Sequence, residues 1–283
     1  MVEVLKSGLF STIQDLGRFG FQRYGIPFSG AMDTYSSKIA NTILGNNENA
    51  AVLEMIMTGS TLLFEAETVI CLTGADLSPK LNDVSISLNK AIKVKSGDLL
   101  SFGKLNYGYR CYLAVLGGFQ SESVMESKSM FSNVTKADKI AVGDSLKINA
   151  ASVFNLEHNA TLKVNTNHFK SKTIEVFEGP EFESLNDSQK ALLFNQEFSV
   201  SQLNNRMAYQ LNEKLENNLA PIITSIVLPG TIQLTPSGRL IVLMRDCQTT
   251  GGYPRVLHLN ELSISRLAQK KANEKIRLKL LKQ

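Results

Sequence analysis

Several common device classes are missing from this chain. Its three cysteines, Cys71, Cys111 and Cys247, are far apart and odd in number. They make neither a CxxC pair nor a disulfide framework, which points to a reducing compartment. The three histidines, His158, His168 and His258, have no i/i+4 pairing and no neighbouring cysteine, so no metal site is expected. No uninterrupted apolar run approaches the roughly 18 residues that cross a bilayer, and Met1-Val2-Glu3-Val4-Leu5-Lys6 lacks the apolar core of a signal peptide. The expectation is a cytoplasmic protein without a membrane partner. The GxxxxGK[ST] phosphate loop is also absent, because Gly103-Lys104 runs into Leu105 with no glycine at the required distance upstream. Any ATP handled here must be held by other means.

Charge gives little direction. A net +4 comes from 30 basic and 26 acidic residues, with the main basic concentration between Lys270 and Lys282. No aromatic side chains are interleaved with it, so it reads as a solvated end or helix face and no nucleic-acid partner is expected. The hydrophobic share of 43% over 283 residues allows one large or two ordinary domains.

What is present is dense in turns and strands. The first forty-five residues hold Gly8, Gly17, Gly20, Gly25, Pro27 and Gly30, and read as ordered loops that hold polar side chains. Asp33 is placed to cap a helix carrying Tyr35, Ile39, Ala40, Ile43 and Leu44, which Gly45 closes. Within that helix Asn41 reads either as a bond to the adjacent loop or as a ligand group. From 51 to 116 short apolar runs separated by turn signals predict strands, which suggests a barrel or sandwich. Glu54 sits inside one such run, where a carboxylate needs a partner or a task. The alternatives are substrate contact or a salt bridge to Arg18 or Arg23. Lys95-Ser96-Gly97-Asp98-Leu99 and Val142-Gly143-Asp144-Ser145-Leu146 both read as a Gly-Asp turn feeding a strand. Periodicity fades over 149–172, dividing the chain into a lobe over 1–149, a linker or crossing segment over 150–172, and a lobe over 173–283. In the second lobe a helix is expected around 188–195, another over 262–269, and a closing basic strand over 275–280.

The apolar run Leu240-Ile241-Val242-Leu243-Met244 empties into Arg245-Asp246-Cys247-Gln248-Thr249-Thr250-Gly251-Gly252-Tyr253-Pro254. A buried strand would aim this polar loop: Arg245 for an anion, Asp246 as acceptor or base, and Gln248, Thr249 and Thr250 as neutral hydrogen-bonding groups. The alternative is a local Arg245–Asp246 ion pair followed by an ordinary turn.

Taken together, the runs Ser11-Thr12-Ile13-Gln14-Asp15-Leu16-Gly17-Arg18, Gly25-Ile26-Pro27-Phe28-Ser29-Gly30-Ala31-Met32-Asp33, Leu53-Glu54, Leu72-Thr73-Gly74-Ala75-Asp76, Glu178-Gly179-Pro180-Glu181 and Gln248 to Pro254 resemble the biotin-dependent carboxyltransferase / allophanate hydrolase subunit 2 family. Its KipA-type members act as the C subunit of a bacterial ATP-dependent 5-oxoprolinase. The resemblance covers nearly the whole chain. It implies a mainly β protein of two cyclophilin-like β-barrel lobes with a few short helices. It also implies a hydrolase complex that opens 5-oxoproline to glutamate, in which this chain is inactive alone. Its implied partners are a KipI-like B subunit and a LamB/YcsF-like A subunit, with ATP and Mg bound within the complex and a small amide as substrate. Two other family roles stay open: sequestering a KipI-like kinase inhibitor, and carboxyl transfer to urea in a biotin-dependent system. The chain has no biotin attachment site of its own.

On this resemblance the catalytic candidates are Asp246, Arg245 and Gln248. The substrate-binding candidates are Arg206, Gln233, Thr249, Gly252, Tyr253, Asp15, Arg18, Ser29 and Glu54, together forming a cleft. Two departures stand out. Glu126-Ser127-Lys128-Ser129-Met130 carries lysine where the family has arginine, which removes a planar bidentate fork for an anion. Asn205-Arg206-Met207-Ala208-Tyr209-Gln210 keeps Arg206 but not the charges around it.

Overall fold

The computed structural model describes residues 1–149 and 164–281. The chain forms two compact units, one of Met1–Arg18 and Ser29–Phe169, the other of Phe19–Phe28 and Lys170–Gln283. Residues 150–163 of the expected linker lie outside the described residues. Within the rest of it, Asn167–Lys170 is a helical turn whose His168 is buried, with Nε2 3.0 Å from the Asp33 carboxylate.

The first unit has two sheets. Ser145–Leu146, Val2–Lys6, Thr61–Phe64, Leu99–Ser101, Lys80–Leu81 and Val84–Ser85 follow one another across one; Ser11–Gln14, Val52–Ile56, Tyr107–Val115, Thr68–Asp76 and Ile92–Val94 make the other. Val2, Val4, Leu62, Phe64 and Leu100 from the first meet Ile13, Leu53, Met55, Leu72 and Leu113 from the second in one core. The second sheet is covered on its other face by the helix Thr34–Ile43, where Ala40 and Leu44 pack against Val52, Val69, Cys71 and Ala114. With both faces covered, Val52–Ile56 is buried at every position, hence its unbroken apolar run in place of alternation.

The expectation of two barrels is met by one closed ring. Three edge strands of the first unit, Val84–Ser85, Ser145–Leu146 and Ile92–Val94, span only two or three residues. Such short edges join no ladder between the sheets, so this unit is two sheets around a shared core. In the second unit seven strands close in the order Thr173–Glu178, Arg255–Leu259, Thr231–Leu234, Arg239–Leu243, Ala208–Lys214, Phe198–Asn204 and Lys275–Leu280. Six contacts around the ring are antiparallel, and the closing pair of Lys275–Leu280 with Thr173–Glu178 is parallel. Alternate residues fill the ring: Ile174, Val176, Val200, Tyr209, Leu211, Ile232, Leu234, Leu240, Val242, Ile276 and Leu278 are all buried.

The local signals hold. Asp33 caps the helix by accepting from the Ser36 N–H at 3.0 Å, and Gly45 follows it in the left-handed region at φ 68. Asn41 bonds the adjacent loop, donating to the Ala50 and Glu48 carbonyls. The two Gly-Asp turns match in detail: Asp98 accepts from the Lys95 N–H and Asp144 from the Ala141 N–H, three residues back in each case. The helices Asp187–Asn195 and Glu261–Ala268 and the strand Lys275–Leu280 stand where expected.

Glu54 belongs to the architecture of the first unit. Register places Thr12, Glu54, Tyr112 and Thr73 side by side across four strands of the helix-covered sheet. From this polar row Glu54 Oε2 accepts from the Tyr112 hydroxyl at 2.9 Å and the Met32 N–H at 2.8 Å, and Tyr112 accepts in turn from the Asp33 N–H at 2.8 Å. Thr73 donates to the Ser36 carbonyl at 2.7 Å. The row therefore docks residues 32–36, the start of the helix, onto the sheet. The charge partner of Glu54 is Arg110, at 3.6 Å, with both side chains 1% exposed. This corrects the expectation of substrate contact: at 1% exposure the carboxylate is enclosed by the sheet and by the Met32 N–H above it, and the ion pair it makes is with Arg110 on the adjacent strand. Burial, and then the Glu54 and Asp33 carboxylates, push the Tyr112 phenol well above its ordinary value, so its hydroxyl stays a donor. Removing one partner of a buried pair leaves the other charge uncompensated. Glu54→Ala should therefore lower stability by about 3–5 kcal/mol in thermal or denaturant unfolding; a loss below about 1 kcal/mol would mean the row is not what fixes the helix start.

Candidate functional site

Asp15, Arg18 and Ser29 are enclosed, at 4%, 0% and 1% exposure. One Asp15 oxygen accepts from the Gly17 N–H at 2.8 Å, Ser127 Oγ at 2.7 Å and Ser129 Oγ at 2.6 Å, and the other from the Lys128 N–H at 2.6 Å. Arg18 donates to the Ser129 carbonyl at 2.6 Å and to Ser29 Oγ at 3.1 Å. Three donors crowd one oxygen and a fourth takes the other, all from the protein, in a carboxylate that is only 4% exposed. These three residues tie the first-unit loops to the 124–130 turn, which corrects their assignment to substrate. Lys128, the residue that departs from the family pattern, donates through Nζ to the Phe119 carbonyl and to Gln120 Oε1, each at 3.2 Å. Its cation serves the turn.

The second unit carries a cleft of about 480 Å³ lined by Gln202, Leu203, Asn204, Asn205, Met207, Ala208, Gln210, Gln233, Ile241, Leu243, Gln248 and Tyr253. Its floor consists of Ala208, Gln210, Gln233, Ile241 and Leu243, which alternate along their strands with the buried Tyr209, Leu211, Ile232, Leu234, Leu240 and Val242. The cleft thus lies on the outer face of three barrel strands, with one wall from residues 202–207 and another from the polar loop. Three sequence candidates, Gln233, Gln248 and Tyr253, converge here. Gln233 is only 2% exposed and donates to the Tyr253 carbonyl at a long 3.4 Å. The Gln248 Oε1 atom is buried with no hydrogen-bond partner among the described residues, which leaves an acceptor open to a ligand N–H. Gly251 lets the loop close on the floor, because a Cβ there would lie 2.6 Å from Gln233 Nε2.

The lining is electrically neutral. Six of its side chains, Gln202, Asn204, Asn205, Gln210, Gln233 and Gln248, are carboxamides, each offering both a donor and an acceptor. The charged candidates nearby are engaged in ion pairs. Arg206 holds both oxygens of Asp246, at 2.8 and 3.1 Å, and the pair is largely buried. Asp246 is accordingly an orienter of its loop, reinforced by its N–H donating to the Arg206 carbonyl. Arg245 pairs with Glu261. The Thr249 and Gly252 carbonyls accept from the Val227 and Ile222 N–H groups, so these two residues bind a strap, 221–228, against the loop. Burial pushes the Cys247 thiol up to about 12, so the loop carries no thiolate.

A latch missed in the sequence fixes this arrangement. Glu181 accepts from the Arg255 N–H at 2.8 Å, Nε at 3.0 Å and Nη2 at 2.7 Å, while Arg255 Nη1 donates to the Ile226 carbonyl at 3.0 Å. One guanidinium thereby joins the 179–181 turn, the end of the polar loop and the strap. Gln202, Asn204, Asn205 and Gln210 were also unforeseen. The alternation in Phe198–Asn204 and Ala208–Lys214 was available as a signal, but the outer face of a strand gives no sign of which polar residues meet across neighbours.

Residues 24–280 match the family model of the carboxyltransferase domain, subdomain A and B. The chain is 31% identical over 275 residues to the 5-oxoprolinase C subunit of Escherichia coli (strain K12), covering 95% of this chain and 87% of that protein. It is 28% identical over 276 residues to the protein of the same name from Haemophilus influenzae, again covering 87% of it. Its fold is similar to the crystal structure of the K. lactis urea amidolyase, with a TM-score of 0.87 and 28% identity over 99% of this chain, which corresponds to 19% of that one.

The latch has a pH signature. Hydrogen bonds from Arg255 hold the Glu181 carboxyl below its ordinary 4.5. A lowered folded value contributes stability that is present above the unfolded value and disappears as pH falls through the folded one. Thermal unfolding followed from about pH 7 to about pH 3 should therefore show Glu181→Gln less stable than wild type near neutrality, with the two curves converging in acid. Curves that stay parallel would show that the pair contributes nothing specific to its charge.

Proposed function

Since the chain belongs to the carboxyltransferase-domain family, subdomain A and B, we propose that it is the C subunit of an ATP-dependent 5-oxoprolinase, supplying the site that receives the small amide. The observation that carries this reading is the neutral, carboxamide-lined cleft with an unpartnered Gln248 Oε1 at its wall. A lactam presents one N–H and one carbonyl on adjacent atoms. Gln248 Oε1 accepts the ring N–H, and the amide groups of Gln233 and its neighbours donate to the lactam carbonyl oxygen. Relatives named as 5-oxoprolinase subunits, matched over most of their length, support the same reading.

In the overall reaction the ring C–N bond breaks, a water oxygen bonds to the carbonyl carbon, and the freed nitrogen takes protons. ATP, with Mg, would supply the activation of the lactam carbonyl oxygen, leaving as ADP and phosphate. The lining itself is carboxamide and apolar and supplies no cation to hold a triphosphate. No step through ATP is assigned to this chain, and the nucleotide belongs with a KipI-like B subunit and a LamB/YcsF-like A subunit. The contribution of this chain is to bind and orient the amide, with the Arg206–Asp246 pair and the Glu181–Arg255 latch holding the walls. On this reading it has no turnover by itself. Carboxyl transfer to urea shares the fold, but this chain corresponds to only 19% of the urea amidolyase it resembles, so a biotin-carrying partner would have to provide the rest.

The test is ATP hydrolysis by the chain co-expressed with its A and B subunits, with and without 5-oxoproline. Stimulation that vanishes when this chain is omitted is expected, and a full response without it would overturn the reading. Gln248→Leu in the assembled complex should lower kcat/KM for 5-oxoproline by about tenfold or more, the effect of one lost hydrogen bond in a desolvated site.

A further inference from the structure

The cleft leaves one part of a lactam acid without a partner, its carboxylate, and the same barrel face offers a cation for it. Arg239 lies on the strand Arg239–Leu243, two residues before Ile241 of the cleft floor and so on the same outer face. Its Nη1 is 3.4 Å from Oε1 of Gln210, a lining side chain. The guanidinium therefore adjoins the amide groups. Arg206, Arg245 and Arg255 in this region each hold a carboxylate of the protein. Arg239 has no acidic partner among the described residues, and its one side-chain hydrogen bond there is the long one to Gln210. Past a register shift in the ladder, it is also paired with a second cation, Lys214, on the neighbouring strand. Like charges facing across a ladder repel, an arrangement that an anion bound between them relieves.

We propose that Arg239 is the carboxylate-recognising residue of this site, with Lys214 reinforcing the local positive potential, so that the unit selects a small cyclic amide carrying one carboxylate. The proposal rests on the oxoprolinase reading and adds to it the residue that sets specificity. The lactam end meets only neutral carboxamides, and the acid end meets the uncompensated guanidinium beside them. A planar fork of donors suits a carboxylate in two-point contact.

The experiment uses the assembled complex and two probes, 5-oxoproline and 2-pyrrolidinone, the same lactam without the carboxylate. Wild type should show a KM for 5-oxoproline well below that for 2-pyrrolidinone in lactam-stimulated ATP hydrolysis. Arg239→Gln should raise the KM for 5-oxoproline by about tenfold or more, the usual effect of losing a charge-assisted contact, with kcat changed less. Its response to 2-pyrrolidinone should stay as in wild type, which also reports that the variant is folded. Arg239→Lys should recover part of the loss. A wild-type response to 5-oxoproline with an unchanged KM in Arg239→Gln overturns the assignment of Arg239 while leaving the oxoprolinase reading intact. Equal loss toward both probes in Arg239→Gln and Arg239→Lys also overturns it, since the residue would then act on the cleft as a whole. A wild-type complex that responds to neither probe overturns both.

Discussion

A seven-stranded ring whose interior is filled by its own side chains has no room for a ligand inside, and this constraint sets where recognition can occur in the second unit. Tyr209, Leu211, Ile232, Leu234, Leu240 and Val242 are each at most 1% exposed. Because strand side chains alternate, every group that packs the ring commits its neighbour to the outside. Gln210, Gln233, Arg239 and Ile241 are those neighbours. The site is thus a consequence of the core: three rigid strands present a fixed row of outward groups, and two irregular segments, 202–207 and 245–254, close over them as walls. The exposed backbone of a loop alone would not hold carboxamides in register. Strands held by the ring ladder do.

The ion pairs around the cleft have a structural effect more than an energetic one. A largely buried pair such as Arg206–Asp246 gains little net stability over an apolar replacement, because desolvation offsets attraction. Its effect here is to consume charge. Arg206, Arg245 and Arg255 are each matched by a carboxylate from another segment, which ties the loop down and keeps these three cations from charging the carboxamide lining. A neutral lining of amides favours an uncharged, hydrogen-bonding ligand end over water only if the geometry is fixed in advance. The same pairs provide that fixity. The polar row beneath the helix of the first unit follows the same logic, with Glu54, Tyr112 and Arg110 buried so that one chain segment has a single docking position.

Much of this was legible in the sequence, and the part that was not has a physical cause. Capping and turn chemistry are local, so Asp33, Gly45, Asn41 and the paired Gly-Asp turns stood where the residues implied. The closing basic strand, Lys275–Leu280, stands at the residues expected of it. Tertiary partnership was not legible. Glu54 was correctly read as a carboxylate in need of a partner, yet its partner is set by strand register, and Arg110 lies fifty-six positions away in sequence. Asp15, Arg18 and Ser29 look like ligand groups because ordered polar loops bind ligands and also bind each other. Only burial separates the two, and Asp15, 4% exposed, spends its hydrogen bonds on donors of the protein. Gln248 was found through its loop, whereas Gln202 and Asn204 belong to the site only because their strand lies beside Ala208–Lys214.

The lining also limits what this chain can contribute chemically. Carboxamides carry no ionisable proton in the ordinary range, so they orient a substrate and stabilise its polar atoms without acting as acid or base. The carboxylate nearest the polar loop's turn, Asp246, has both oxygens engaged by Arg206; making it a base would require breaking a bidentate bond in a partly desolvated place. Cys247 is held protonated by burial. A water attacking an activated ring therefore needs a proton acceptor from outside the cleft lining. The lining thus offers hydrogen bonds and shape, and the charged groups beside it are engaged in holding its walls.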